Sequence, residues 1–245
     1  MVSEYKLTTS TRSYAVKAAL KLSSEERRTA IIRAVRRVFA EKGFHGTTTR
    51  ALADAAGVSE ALLFKHFPNK EALYSAMQLF CCNENDPEKI DRIKALEPST
   101  STLILIVHLM VARTVGSEPG SHEDAVTHHR LILRSMIEDG EFARLFYERT
   151  MPCWISKVEE CLKASIAAGD ATEGPVLHNL GALFARHLAK TIMVSLLPAT
   201  PIVDYGMPRK KLVEQVVWFT LRGVGVRDEA IKRYYNPEAL LVLMA

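Results

Sequence analysis

The chain has 245 residues, of which 48% are hydrophobic and 24% charged, with 12 Gly and 10 Pro. This composition is typical of a globular protein and excludes collagen-like, coiled-coil and wholly disordered chains. Residues 1–80 hold 13 Lys and Arg against 7 Asp and Glu, whereas residues 81–245 hold 19 against 21, which is the balance expected of a basic nucleic-acid-binding head on a near-neutral body.

Residues 1–22 show no sustained hydrophobic periodicity, and we interpret them as a mobile basic arm. Lys6, Arg12 and Lys17 interrupt any apolar run, so the segment does not resemble a signal peptide. The four Cys have neither a metal-ligand spacing nor a disulfide framework, which favours a reducing compartment. We therefore expect a cytoplasmic protein.

The first long helix is predicted over about residues 24–42. Ser24 is a candidate N-cap ahead of the acidic Glu25 and Glu26, and apolar residues then recur at helical spacing until Gly43. Glycine is the usual residue just past a helix end, which places the end of this helix.

Two short helices and a tight turn are predicted next. Thr47 and Thr48 offer N-cap hydroxyls for the helix TTRALADAA, which Gly57 ends. Ser59 caps a second helix, SEALLFKHF, and Pro68 ends it. Helix, glycine turn and helix form a helix-turn-helix, whose last helix enters the major groove of DNA by its amino-terminal part.

The run GFHGTTTRALADAAGVSEALLFKHFPNKEALYSAM, residues 43–77, resembles the amino-terminal signature of the tetracycline-repressor (TetR) family of bacterial regulators. The run is about a seventh of the chain. The resemblance implies an all-α protein with an N-terminal three-helix helix-turn-helix DNA-binding domain, followed by a larger all-helical ligand-binding and dimerisation domain. Similar proteins are homodimers whose affinity for a palindromic operator is controlled by a small molecule.

The resemblance also implies which residues contact DNA. Thr47, Thr48 and Lys70 are expected at phosphates, and Ser59, Phe64 and His66 at or near the backbone. Base edges are expected to be read by Arg50, Glu60, Leu62 and Lys65. Alternatively, the hydroxyls of Thr47, Thr48 and Ser59 only cap helices. In the same way, His66 could be a packing residue and Glu60 a solvated acid in the first turn of its helix.

Departures from the family pattern bear on the operator. Family members often have Gly where Ala61 stands, a small or hydroxylated residue at Leu62, and Tyr at Phe64. The Phe removes a hydroxyl that contacts a phosphate in similar proteins, and Leu62 suits a thymine methyl better than a hydrogen bond. The operator sequence of another family member therefore cannot be assigned directly to this protein.

The rest of the chain is also predicted to be helical, over about residues 87–96, 101–115, 123–138, 141–168 (or from Pro152 after a kink), 175–197, 209–224 and 228–235. Residues 103–112 are too few, and residues 176–197 too charged, for a membrane span, so no membrane partner is expected. The predicted organisation is an arm over 1–22, a helix-turn-helix domain over 23–70 and a regulatory and dimerisation domain over 71–245.

The last two long helices are more apolar than one exposed face requires, so they need a partner. Similar proteins pair these helices across a two-fold axis, in a four-helix bundle that matches the symmetry of palindromic half-sites. The interface candidates are Leu180, Leu183, Leu188, Ile192, Val213, Val216, Val217 and Leu221. The alternative is that these residues form the core of one subunit.

A pocket for an apolar or amphipathic effector is expected in the body. The candidates place large or polarisable groups on apolar helices: His108, Met110, Met136, Phe146, Trp154, Phe184 and His187. The alternative for each is ordinary core packing.

Two other groups are weaker candidates. His122, Asp124, His128 and His129 could approach a divalent metal, but they do not supply a complete ligand set, so no metal or cofactor is expected. The adjacent Cys81 and Cys82 lie between head and body, where oxidation would uncouple them, although a buried thiol is the commoner outcome.

These patterns predict a ligand-responsive transcriptional regulator, a repressor in preference to an activator. The sequence holds no nucleophile elbow, Walker loop or zinc-protease motif, so we do not expect an enzyme. The alternatives are a ligand-independent DNA-binding or architectural protein, or a helical enzyme or carrier that retains a helix-turn-helix.

Overall fold

The computed structural model describes residues 22–83, 87–116 and 123–242. Within these ranges the fold is all-α, as predicted, and the only β pairing there is one antiparallel bridge between Ala171 and Val226. The predicted arm, apart from Leu22, lies outside the described residues. The helices are α1 (Ser24–Lys42), α2 (Thr49–Ala56), α3 (Glu60–His66), α4 (Lys70–Asn83), α5 (Pro87–Ala95), α6 (Thr100–Val115), α7 (Glu123–Ile137), α8 (Glu141–Ala167), α9 (His178–Leu196), α10 (Arg209–Gly223), α11 (Asp228–Tyr234) and α12 (Pro237–Val242).

Helix α1 has the predicted bounds, but its N-cap is Ser23 instead of Ser24. The Ser23 hydroxyl accepts from the Glu26 N–H at 3.2 Å, and the Glu26 carboxylate accepts from the Ser23 N–H at 2.8 Å. This reciprocal pair is a capping box, which requires the serine three residues before the glutamate. Ser24 is therefore the first helical residue.

Of the two predicted starts of α8, Glu141 is confirmed, and two other body helices differ from the prediction. Helix α8 continues through Pro152 without a break, and α9 begins at His178 instead of residue 175. Val176 and Leu177 are exposed, so no packing supports an earlier turn of α9. Helix α12 was not predicted, although Asn236 caps it by accepting from the N–H groups of Glu238 and Ala239.

The head comprises α1 to α4, and its core extends into the body. The residues that meet there come from α1, α2, α3 and α4, together with the end of α7 and the start of α8, and include Phe39, Leu52, Leu63, Leu131 and Phe142. We call this group the head cluster. It is continuous across residue 70, where the sequence analysis placed a domain boundary, so α7 and α8 carry the head as a packed unit.

A second core, the body cluster, surrounds α6, which packs against α8, α9 and α10. Val217 and Leu221 of α10 are fully buried in it, and Val213 and Val216 are nearly so. These four were predicted to meet a second subunit, and this prediction is wrong because they pack against α6 of their own chain. Leu188 and Ile192 are half-buried against the same cluster, whereas Leu180 is exposed.

No helix within the described part of the chain combines the length and apolar character that crossing a bilayer requires.

Candidate nucleic-acid interface

Helices α2 and α3 are joined by a tight turn. Gly57 adopts a left-handed conformation, with φ 64°, and its N–H caps the end of α2. The Val58 N–H donates to the Ala53 carbonyl at 3.0 Å, and the Ser59 hydroxyl caps α3 by accepting from the Leu62 N–H at 3.2 Å. Leu52 and Leu63 bury the inner faces of the two helices. This is the predicted helix-turn-helix.

The outer face of α3 is presented to solvent. Glu60, Phe64 and Lys65 are exposed, and Leu62 and His66 are half-buried. Arg50 projects from the first turn of α2 and is also exposed. Of the predicted base-reading side chains, Arg50, Glu60 and Lys65 are therefore accessible, and Leu62 is half-buried.

Glu60 is held by a residue that the sequence analysis did not select. The Thr49 hydroxyl donates to the Glu60 carboxylate at 2.7 Å, which ties the first turn of α2 to the first turn of α3. The carboxylate keeps acceptor capacity on its other oxygen. Glu60 therefore has a structural bond in addition to its predicted role at a base edge.

The two threonines before α2 differ in accessibility. Thr47 is 2% exposed, and its hydroxyl donates to the Gly43 carbonyl at 2.6 Å. Its N–H donates to the Phe44 carbonyl, so the predicted phosphate contact by Thr47 is wrong because both donors are used internally. Thr48 is exposed and caps α2 by accepting from the Ala51 N–H, which leaves its own O–H able to donate.

Lys70 was predicted to contact phosphate, and the structure gives it a different partner set. Its ammonium donates to the carbonyls of Phe44 and Thr47, each at 3.0 Å, and lies 4.3 Å from the centre of the Phe44 ring. These bonds fix the turn between α1 and α2 from the start of α4. At most one N–H of the ammonium remains for a phosphate, so positioning is its principal role here.

Arginines pin the head at two further points. Arg28 of α1 donates to the His66 carbonyl at 2.7 Å and stacks on the Phe67 ring at 4.2 Å, which fixes the end of α3. Arg134 of α7 donates to the Glu41 and Lys42 carbonyls, at 3.3 and 3.1 Å, and pairs with Glu138 at 2.8 Å. A body side chain therefore satisfies the last carbonyls of α1, and single-sequence periodicity carries no signal for such a long-range cap.

The predicted effector residues do not form one site. Met136 and Phe184 are 57% and 56% exposed, and His187 is also exposed, so these three do not line the interior of the subunit as predicted. Phe146 is buried in the head cluster, whereas Met110 and Trp154 pack against the body cluster.

His108 is a buried polar residue of α6. Its Nδ1 lies 3.1 Å from the Tyr235 hydroxyl, and burial lowers the pKa of His108. Its Nε2 is buried without a hydrogen-bond partner among the described residues.

The weaker candidates have ordinary surroundings in the described residues. Cys81 and Cys82 are buried, and burial raises the pKa of the Cys82 thiol, which disfavours its reactive thiolate. His122 lies outside the described residues, and His129 is beside Lys190. Among the described residues, no cluster of His, Cys, Asp and Glu could hold a metal ion.

Known proteins that are similar in sequence to this chain match the region that contains the helix-turn-helix. Residues 31–77 match the family model described as bacterial regulatory proteins, tetR family. The HTH-type transcriptional regulatory protein RaaS of Mycobacterium tuberculosis is 30% identical over 131 residues, which are 54% of this chain and 53% of RaaS. The HTH-type transcriptional regulator RutR of Escherichia coli is 44% identical over 70 residues, 29% of each chain. The matches thus span about half the length of RaaS and less than a third of RutR.

Solved structures resemble the chain over more of its length. AibR, solved in complex with isovaleryl coenzyme A and operator DNA, aligns with a TM-score of 0.59 and 16% identity over 79% of this chain and 97% of AibR. A bacterial regulatory protein in the tetR family from Rhodococcus RHA1 aligns with a TM-score of 0.59 and 21% identity over 82% of this chain and 98% of that protein. At these identities the likeness establishes the shared fold.

Proposed function

This chain is a relative of the tetR-family regulators through its amino-terminal region, and from that premise we propose that it is a DNA-binding transcriptional regulator. The observation that carries the proposal is the exposed outer face of α3, held at a fixed angle to α2 by the Gly57 turn and by the bond from Thr49 to Glu60. In this proposal α3 enters the major groove, and Thr48 and the start of α2 face the phosphates. Its action on the chromosome places the protein in the cytoplasm.

We also propose that the protein is a homodimer on a palindromic operator. Leu180 and Phe184 form an exposed apolar stripe on α9, which the exposed Leu177 extends just before the helix, and Phe219 of α10 is 68% exposed. A stripe of large apolar side chains that stays uncovered by the described residues favours an interface. A two-fold axis through this stripe would give two heads for two half-sites. This stripe replaces the buried α10 residues as the proposed interface.

Ligand control and repression complete the proposal. Arg134 connects α7 of the body directly to the end of α1 in the head, so a displacement of α7 moves the reading helices. An effector that binds one position of α7 more tightly than another would shift operator affinity, and DNA would shift effector affinity by the same factor. We propose that the protein represses its operator and that the effector releases it from the DNA. In this proposal the protein catalyses no reaction.

The test is selection of genomic DNA fragments by the purified full-length chain at physiological salt, followed by sequencing. The expected result is a palindrome enriched near a small number of genes, with half-sites about one helical turn apart. No enrichment over random fragments would refute the proposal, and an enriched site without two-fold symmetry would refute the dimeric form of it.

A further inference from the structure

A group of cationic and imidazole side chains meets aromatic rings where α7, α8 and α9 converge. The Lys190 Nζ of α9 lies 2.8 Å from the His129 Nδ1 of α7. One turn before Lys190, the Arg186 guanidinium carbon lies 5.3 Å from the centre of the Tyr147 ring and 5.8 Å from that of Phe146. We call these residues, with His128, the junction site.

The junction site brings basic groups together, and their partners among the described residues are few. Within the part of the chain that the structure describes, no carboxylate pairs with Arg186 or Lys190. The Arg186 Nε is buried and has no hydrogen-bond partner there. Buried polar groups normally have partners, and an unsatisfied guanidinium N–H costs stability unless a ligand accepts from it.

The pKa values of the junction site indicate basic groups that lack a negative partner among the described residues. Burial, followed by the nearby Arg186, lowers the pKa of Lys190 to about 7. Burial, followed by the nearby cations, lowers the pKa of His128 and of His129 to about 3, with Arg36 of α1 among the cations that act on His128. Burial and the neighbouring cations therefore disfavour the protonated forms of Lys190, His128 and His129. A bound anion would favour the protonated forms and raise these pKa values.

The aromatic rings beside the cations indicate that the anion belongs to a molecule with an apolar part. The His128 ring lies 5.0 Å from the Phe146 ring and 6.3 Å from the Phe142 ring, so its apolar surroundings continue into the head cluster. One guanidinium and one titrating ammonium match a single negative charge, and a planar carboxylate accepts two N–H bonds from an Arg fork with the best geometry. Ligand sites commonly pair such a polar anchor with apolar walls.

We propose that the junction site binds an organic monocarboxylate with an apolar body, with Arg186 and Lys190 holding the carboxylate. This inference rests on the proposed function, since it names the chemical class of the effector. His129 lies on the same helix as Arg134, so a carboxylate held between α7 and α9 acts on the helix that caps α1.

The test compares carboxylates with their uncharged isosteres on the full-length protein. Octanoate and 1-naphthoate are titrated by calorimetry against octanamide and 1-naphthamide, with inorganic phosphate as an anion that has no apolar body. We expect at least one carboxylate to bind about tenfold or more tighter than its amide, as a charge-assisted bond to Arg or Lys requires. Equal affinity for both members of each pair, no binding by either carboxylate, or phosphate binding as tightly as the better carboxylate would overturn the inference.

Substitutions assign the preference to the site. Lys190→Met combined with Arg186→Met should remove the carboxylate preference while leaving amide binding in place, and Lys190→Arg alone should retain the preference. Because the buried ammonium is disfavoured, Lys190→Met is not expected to unfold the chain. The control is Lys210→Met on α10, an exposed lysine that should change nothing. A preference that persists when both Arg186 and Lys190 are replaced by Met would overturn the assignment.

Operator affinity, measured in the same samples, separates the two proposals. A carboxylate that binds at the junction site but leaves operator affinity unchanged refutes ligand control and preserves the site. An operator that is bound tightly by a protein without carboxylate preference refutes the site and preserves the DNA-binding function.

Discussion

At the residue scale, long basic side chains position the head by donating to backbone carbonyls. Arg28 and Arg134 donate to carbonyls at the ends of α3 and α1, and Lys70 donates to two carbonyls of the α1–α2 turn. Bonds from a charged donor to a carbonyl are stronger than bonds from a neutral donor and leave little orientational freedom. The exposed Arg50 has no such internal role, so it is the cleaner test of DNA reading.

Arg50→Ala should reduce operator affinity and relax sequence preference at one base position. A bidentate arginine to guanine contact contributes about 1–3 kcal/mol of discrimination. The measurement is binding to the selected operator and to variants at each position, by fluorescence anisotropy. A loss of equal size on random DNA would show that Arg50 contacts phosphate instead.

Lys70→Met should lower the free energy of unfolding by about 1–3 kcal/mol, because it leaves two carbonyls without their charged donor. The dependence of operator affinity on salt should keep its slope, since the ammonium is committed to the α1–α2 turn. Urea denaturation and a salt titration measure the two effects. A slope that becomes shallower by about one unit, with unchanged stability, would restore the phosphate contact.

At the element scale, α7 joins the head, the junction site and the start of α8. Its bounds were predicted closely because hydrophobic periodicity and Gly140 mark them. Its function was not predictable, because Arg134 reaches Glu41 and Lys42 across more than 90 residues of sequence. The helix-turn-helix was predictable for the opposite reason: Thr48, Gly57 and Ser59 make local bonds that their residue types specify.

Arg134→Met should destabilise the chain by about 1 kcal/mol, because the guanidinium is partly solvated and its bonds to the α1 carbonyls are screened. Operator affinity should fall as well, since the end of α1 is no longer held. Arg144→Met on α8 is the matched control, an exposed arginine that should leave both quantities unchanged. Equal effects of the two substitutions would show that the bonds from Arg134 to the α1 carbonyls do not couple the body to the head.

The buried imidazoles of α7 make stability sensitive to acid. The pKa of His128 and of His129 is about 3 in the folded chain, against an ordinary value of 6.5. The unfolded chain therefore binds more protons below pH 6.5, and stability that is complete above 6.5 is lost as the pH falls towards 3. Each of the two imidazoles should lower the free energy of unfolding by about 1.4 kcal/mol per pH unit as the pH falls through this window.

Replacing both His128 and His129 by Asn should flatten this profile, whereas His45→Asn, at an exposed site, should not. Urea denaturation at pH 7.5, 6.0 and 5.0 measures the difference. Parallel profiles for the wild-type chain and the double variant would show that other groups cause the acid sensitivity.

At the scale of the whole molecule, the distribution of apolar side chains separates core from candidate interface. Hydrophobic periodicity and the family resemblance together assigned the apolar stripe of α10 to a partner subunit, but α6 covers it within the same chain, as the alternative interpretation had it. A periodic stripe specifies that a face is buried and does not specify by what. The exposed Leu180 and Phe184 of α9 could be separated from the buried positions only after the helices were packed.

The double substitution Leu180→Asp and Phe184→Asp should give monomers with weak operator binding, because two carboxylates per subunit would have to be buried at the proposed interface. Sedimentation velocity and operator binding measure the outcome. Ile137→Asp is the control, since Ile137 is 85% exposed on α7, away from this stripe. Dimers that survive the double substitution would place the interface elsewhere.

The bridge between Ala171 and Val226 has a consequence for local unfolding. The Thr172 N–H donates to the Gly225 carbonyl and the Arg227 N–H to the Asp170 carbonyl, each at 2.9 Å, so the segments that precede α9 and follow α10 are clasped together. Such amides exchange with deuterium only when the clasp opens. Slow exchange at Thr172 and Arg227, in segments that are otherwise loop, would mark α9 and α10 as one cooperative unit of opening.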